Sequence, residues 1–203
     1  ADGHRNALNK IEAMVAEARD LFDAETEIML DCYMGWSPEF TIRAADRLSQ
    51  YDIKWIEDPL HPEAIDSYEQ LREKISPIQV AVGNLSFGHR AFHDLVENGA
   101  GDIIQPEVQW AGGLTEMQRL SGLCRCHGLP LSPHASSIYS YHFAISHANV
   151  PHVEYLAPGD GRSVDPMFDI LENEPLPQDG SITLSSEPGF GVKLSRDDLT
   201  RVA

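Results

Sequence analysis

Ile53-Lys54-Trp55-Ile56-Glu57 is a short, mostly apolar run that closes on a carboxylate, and the same pattern returns on both sides of it. Upstream, Ile28-Met29-Leu30 closes on Asp31; downstream, Ile78 to Val82 runs into Gly83-Asn84. Further along, Ile103-Ile104 leads to Gln105-Pro106-Glu107, Leu129 to Leu131 leads to Pro133-His134, and Val153 leads to Glu154-Tyr155. The polar closing residues are separated by 26, 27, 23, 27 and 20 positions from Asp31 through Glu57, Asn84, Glu107 and His134 to Glu154. Each interval accommodates one strand, one helix and two short loops, the repeating unit of a parallel α/β sheet.

The intervals read as helices. Leu8, Ile11, Met14, Val15, Ala18 and Leu21 recur at three- and four-residue steps and mark one buried stripe, preceded by Gly/Asp-containing loop chemistry at the start of the chain. Ser37-Pro38 is an N-cap and first-turn pair for a helix running towards Tyr51. Further helices are expected around Tyr68 to Ile75, around His89 to Asn98, from Thr115 to about His127 with Gly128 as its stop, and in the apolar stretch after His134. Helices packed outside a parallel sheet explain why the strands read as continuous apolar runs.

Two architectures use such units. An open doubly wound sheet carries a glycine-rich phosphate loop after an early strand, and none is present here. Successive strands that all end in a polar group suit a barrel, whose site gathers side chains from many strand ends. A closed barrel of this type has about eight strands, and six are visible, over residues 1–156. From 157 to 203 the pattern gives way to a Pro/Gly/Asp-rich tail that completes or covers the barrel or serves an oligomer contact. The chain opens on Ala1 with no initiator Met, as expected of a processed or shortened chain.

A net charge of -17, from 32 acidic and 15 basic residues, opposes phosphate backbones and anionic membrane surfaces, so neither nucleic acid nor membrane is an expected partner. An anionic small molecule would need a local positive centre, and a bound cation supplies one economically. Three cysteines, Cys32, Cys124 and Cys126, suit a reducing compartment, and with no export signal the expected location is the cytoplasm. Cys124, Cys126 and His127 lack the further thiolates of a structural zinc site, and Asn84-Leu85-Ser86 matches a glycosylation acceptor without a route to the secretory pathway.

In a barrel, Asp31, Glu57 and Asn84 close successive strands, so their oxygens converge at the C-terminal rim as a set suited to magnesium. One acidic strand end alone is more often a helix cap or a solvated loop residue; three in register favour a metal. His134 lies further round the rim, where an imidazole can take a proton at neutral pH, unless it only bonds a loop carbonyl. Glu107, one strand earlier, is placed to orient its other ring nitrogen. Glu154 could donate a hydrogen bond if an apolar setting kept it protonated, and a structural ion pair is its alternative role.

Several stretches together resemble the enolase superfamily, of the mandelate racemase/muconate lactonizing enzyme type, and within it the rhamnonate dehydratase branch. They are Ala1-Asp2-Gly3, Leu30-Asp31-Cys32-Tyr33-Met34, Lys54-Trp55-Ile56-Glu57-Asp58, Gln105-Pro106-Glu107 through Thr115, Pro133-His134-Ala135-Ser136-Ser137-Ile138-Tyr139-Ser140 and Pro188-Gly189-Phe190-Gly191. The resemblance implies a modified (β/α)7β barrel, here without its N-terminal capping domain and first strands. It also implies magnesium at three strand ends and abstraction of the proton α to a carboxylate, giving an enediolate that loses the β-hydroxyl to form a 2-keto-3-deoxy sugar acid. Carried over by position, Asp31 and Glu57 are metal ligands, His134 is the base, and Glu154 is a partner of the intermediate.

Two positions depart from the family pattern. Its third ligand is a Glu followed by His, where this chain has Asn84-Leu85, so one of three negative charges is absent. The Asp that partners the base is Glu107 here, one methylene longer. The expected activity is that of a lyase on a small anionic sugar acid, in a homo-oligomer. Racemisation or epimerisation through the same enediolate, and a catalytically impaired relative with a structural role, are the alternatives.

Overall fold

The computed structural model describes residues 2–135, 137–157 and 171–195; Ser136 of the quoted motif and residues 158–170 and 196–203 of the tail lie outside them. Four strands, β1 (Ile28–Asp31), β2 (Ile53–Glu57), β3 (Gln79–Val82) and β4 (Ile103–Ile104), pair in parallel and in chain order. That order has no reversal among the described strands, as a barrel wall requires and a doubly wound sheet does not. Two isolated parallel bridges, Ile104 with Leu131 and Glu107 with His134, extend the wall by one more position.

The helices fall where the apolar periodicity places them: α1 (Asp2–Leu21), α2 (Pro38–Leu48), α3 (Ile65–Ile75), α4 (Gly88–Glu97), α6 (Leu114–Cys126) and α7 (Ser137–Ile145). The start of α1 differs, because Asp2 and Gly3 already lie in its first turn. At α2 the Ser37 hydroxyl accepts the Phe40 N–H at 3.2 Å and Pro38 takes the first turn, where its missing N–H costs nothing. A short helix not expected from sequence, α5 (Val108–Ala111), follows β4. Gly112 and Gly113, at φ +120° and +83°, separate it from α6 in a backbone turn that a Cβ would strain.

The two faces of the sheet bury different residues. Leu30, Ile56, Val80, Val82, Ile104 and Leu131 join the helix side chains Leu48, Tyr68, Leu71, Phe92, Met117 and Leu120 in the main core. Trp55, Ala81 and Ile103 form a separate cluster, as period-two alternation along β2, β3 and β4 dictates. At the N-terminal end of the wall, Arg72 donates to Asp102 Oδ1 at 2.7 Å while Asp102 Oδ2 accepts the Val80 N–H at 2.9 Å. That end is fastened by structural bonds, which leaves the other rim for chemistry.

Val153 to Tyr155, expected as a sixth strand, forms no ladder: residues 151–157 have no regular structure. Pro151 has no N–H to give, and no described strand flanks the segment on its far side. It is held through side chains instead. Val153, with Ile182, Leu184, Phe190 and Val192 of the tail, packs on Ile138, Tyr141 and Leu171. The described part of the tail therefore folds back on α7, with β5 (Leu171–Glu172) and β6 (Lys193–Leu194) pairing antiparallel. No described helix is long and apolar enough to cross a membrane.

Candidate active site at the C-terminal rim

Asp31 and Glu57 are direct register partners at the ends of β1 and β2, so their side chains leave the same face of the sheet at the same height. Asp31 is exposed at the edge strand and accepts the Tyr33 N–H at 2.8 Å. Glu57 is buried, and its Oε2 accepts both the Trp55 indole N–H at 3.2 Å and the Gln105 amide at 2.8 Å. Burial above all pushes the Glu57 pKa up; the Gln105 and Trp55 donors oppose it, and the charges of Asp31 and Glu154 add to it. Asp31 and Glu154 thus repel Glu57 from two directions, a field that a cation among them would relieve.

Asn84 follows β3 by two residues and is buried, with its Oδ1 making no hydrogen bond. A buried carbonyl oxygen without a donor costs about 1–3 kcal/mol, and ligation of a cation would offset that. Among the described residues no group of three or more His, Cys, Asp or Glu is arranged to hold a metal, and the third rim position is an amide. Two carboxylates and an unpaired amide oxygen nevertheless fit a hard divalent cation that keeps several waters. The thiol next to Asp31 is no competitor: burial, then Asp31, Glu57 and Asp58, push the Cys32 pKa far up, which holds it as a neutral thiol. Cys124 is buried in the core while Cys126 is exposed, so those two do not converge.

His134 is one-fifth exposed, and its Nε2 lies 3.8 Å from Glu154 Oε2. The same carboxylate oxygen accepts the Ala135 N–H at 2.7 Å. Glu154 thus acts here as an acceptor beside His134, which matches the ion-pair alternative of its two expected roles. The expected bond from Glu107 to His134 is absent. Glu107 Oε1 instead accepts the Gln109 N–H at 3.1 Å as the N-cap of α5, and His134 Nδ1 is buried with no hydrogen-bond partner. The two residues meet only through their backbones, in the bridge that extends the sheet.

Sequence reasoning missed three neighbours. Gln105 was read only as the run leading from a strand to Glu107, though it stands two residues before Glu107, one period of strand alternation away. His152 stacks on Trp55 with ring centroids 5.5 Å apart, and burial lowers its pKa. Asp58 is buried and accepts the Gly83 N–H at 3.2 Å, fixing the turn that carries Asn84.

The Asp58 pKa is pushed to about 7, chiefly by burial and then by Glu57 and Asp31, against the Gly83 and Asn84 N–H groups. Between the ordinary carboxyl pKa and this value the folded chain holds a proton that the unfolded chain has released, so stability falls as pH rises across that interval and levels off above it. Asp58→Asn keeps an acceptor for the Gly83 N–H and has no proton to lose. In chelator, denaturant unfolding at pH 5 and pH 8 is expected to show wild type losing on the order of 2–4 kcal/mol relative to the variant. Parallel behaviour of the two would contradict the assignment.

The sequence matches the family described as Enolase C-terminal domain-like over residues 2–198. The L-rhamnonate dehydratase of Saccharopolyspora erythraea is 40% identical over 171 residues, covering 83% of this chain and 44% of that protein. The crystal structure of rhamnonate dehydratase from Gibberella zeae complexed with Mg superposes with a TM-score of 0.90 at 35% identity, over 97% of this chain and 49% of that one. An enolase from Bradyrhizobium, complexed with magnesium and mandelic acid, gives a TM-score of 0.83 at 27% identity, over 94% of this chain and 50% of that one. The chain thus spans about half the length of the relatives it matches. With the parallel wall, its outer helices and the family match in agreement, the chain belongs to the enolase C-terminal domain-like family and is its TIM-barrel-like portion.

Proposed function

We propose that this chain carries the reaction centre of a magnesium-dependent acid-sugar dehydratase, acting on a rhamnonate-like aldonic acid. The observation behind this reading is the meeting of two chemistries on one rim: Asp31 beside Glu57 in register at adjacent strand ends, and Glu154, itself paired with His134, within electrostatic reach of Glu57. The similarity to named rhamnonate dehydratases supports the substrate class.

Asp31, Glu57 and Asn84 would hold the ion, whose positive charge makes the hydrogen α to the substrate carboxylate more acidic. His134 Nε2 takes that proton. The same nitrogen then returns a proton to the β-hydroxyl as its C–O bond breaks, so one water leaves and the resulting enol becomes a 2-keto-3-deoxy acid. Glu154 steadies the base by holding the Ala135 N–H next to it. Incubation of the protein with a panel of aldonic acids and magnesium is expected to yield a 2-keto acid from at least one, and none in chelator. Solvent deuterium entering the α-carbon without loss of water would point to racemisation instead.

A second reading, a relative that binds the acid and turns it over slowly, is favoured by the unpartnered His134 Nδ1 and the diversion of Glu107 to helix capping. Magnesium binding without product from any aldonic acid would select it.

A further inference from the structure

Glu57, Ala81 and Ile103 sit side by side in register on three adjacent strands. β3 thus offers only a methyl group at the height of the Glu57 carboxylate. Gln105, two residues beyond Ile103, uses that gap: its Nε2 reaches across β3 to Glu57 Oε2 at 2.8 Å. The Gln105 backbone is pressed against the same strand. Its N–H donates to Val82 O at 2.9 Å, and a Cβ at Gly83 would stand 3.3 Å from both Gln105 N and O.

The amide gives up something to make this bond. Gln105 is buried, and with its nitrogen on Glu57 its own Oε1 has no hydrogen-bond partner. A carboxylate that also accepts the Trp55 indole can be met only by a donor, so Glu57 dictates the amide's orientation. Both bonds fall on Oε2, which leaves Oε1 of Glu57 for another ligand.

We propose that Gln105 is a positioning residue: it spans the small residue of β3 to clamp one oxygen of Glu57 and so fixes the other for cation binding. The clamp is a property of the folded chain, while its purpose rests on the magnesium reading given above, and the test separates the two. The chain has three tryptophans, Trp36, Trp55 and Trp110, so the indole N–H signals in a 1H–15N spectrum are few and assignable. Trp55 shares Glu57 Oε2 with Gln105 and reports on that oxygen directly.

In chelator, Gln105→Leu is expected to shift the Trp55 indole signal or speed its exchange with solvent, and to leave Trp36 and Trp110 in place. An unmoved Trp55 signal, or equal movement of all three, would overturn the clamp. If the branched side chain unfolds the protein, Gln105→Met, unbranched and of similar length, carries the same prediction. Adding magnesium tests the purpose. Loss of a hydrogen-bonding support behind a ligand typically weakens metal affinity about 10–100-fold, and that weakening is expected by calorimetry. A moved Trp55 signal with unchanged magnesium affinity would show that Gln105 holds Glu57 for some reason other than the cation, overturning the positioning role.

Discussion

His134→Asn, made in the whole protein that carries this chain, is expected to lower turnover of the responsive aldonic acid by about 10²–10⁴-fold, the usual contribution of a positioned general base. Asn fills similar space and can still donate a hydrogen bond, but it cannot take a proton, so the loss should fall on kcat with KM little changed. Any solvent deuterium exchange at the α-carbon that accompanies dehydration should disappear in parallel, since in the proposed mechanism one nitrogen serves both steps. His134 is one-fifth exposed and close to Glu154, so the fold should tolerate the change; an unaltered circular dichroism spectrum checks that. Retained activity would remove His134 from the mechanism. Exchange that persists while dehydration stops would assign His134 to the leaving group alone.

Asn84→Glu is expected to have the second large effect, in the opposite direction. Asn84 contributes a buried, unpaired dipole where a carboxylate would contribute charge. Two unit charges about 4 Å apart attract by ~4 kcal/mol at the effective dielectric of a protein surface. Desolvating the new carboxylate and crowding it against Asp31 and Glu57 offset part of that. A gain in magnesium affinity on the order of 100-fold remains. Without metal the same variant should be less stable than wild type, because a third carboxylate joins groups that already repel one another. Gain with magnesium and loss without it is a signature that a substitution acting only on packing would not give.

The wall of the barrel was legible in the sequence because its signals are local and repeated. Ile28 to Asp31 and Ile53 to Glu57 are each short, mostly apolar runs that end on a carboxylate, and the structure pairs those two ends directly. Ser37-Pro38 capped its helix as read. What could not be read depends on contacts between segments far apart. Glu107 was expected to serve His134, but a single turn of helix after β4 took its carboxylate as a cap, and four residues are too few to leave a periodic signal. Gln105 was invisible for a related reason: its bond to Glu57 exists because Ala81, on the strand between them, is small. Val153 to Tyr155 has the composition of a strand, but strand structure needs a neighbour, and none among the described strands flanks it on the far side.

The departures bear on one another. An amide at position 84 removes a charge, and a neutral donor at position 105 braces the charge that remains on Glu57. Asp58, at the foot of the turn bearing Asn84, holds that turn by its N–H groups. On the proposed reading, the rim is a metal site of reduced charge and firm support.

Calorimetric titration of the 203-residue chain with magnesium, for wild type and for Asn84→Glu in the same buffer, tests that reading most directly. Measurable but weak binding by wild type, and binding tighter by about two orders of magnitude in the variant, is the predicted result. Equal binding by the two proteins, or none by either, would contradict a cation site at these strand ends.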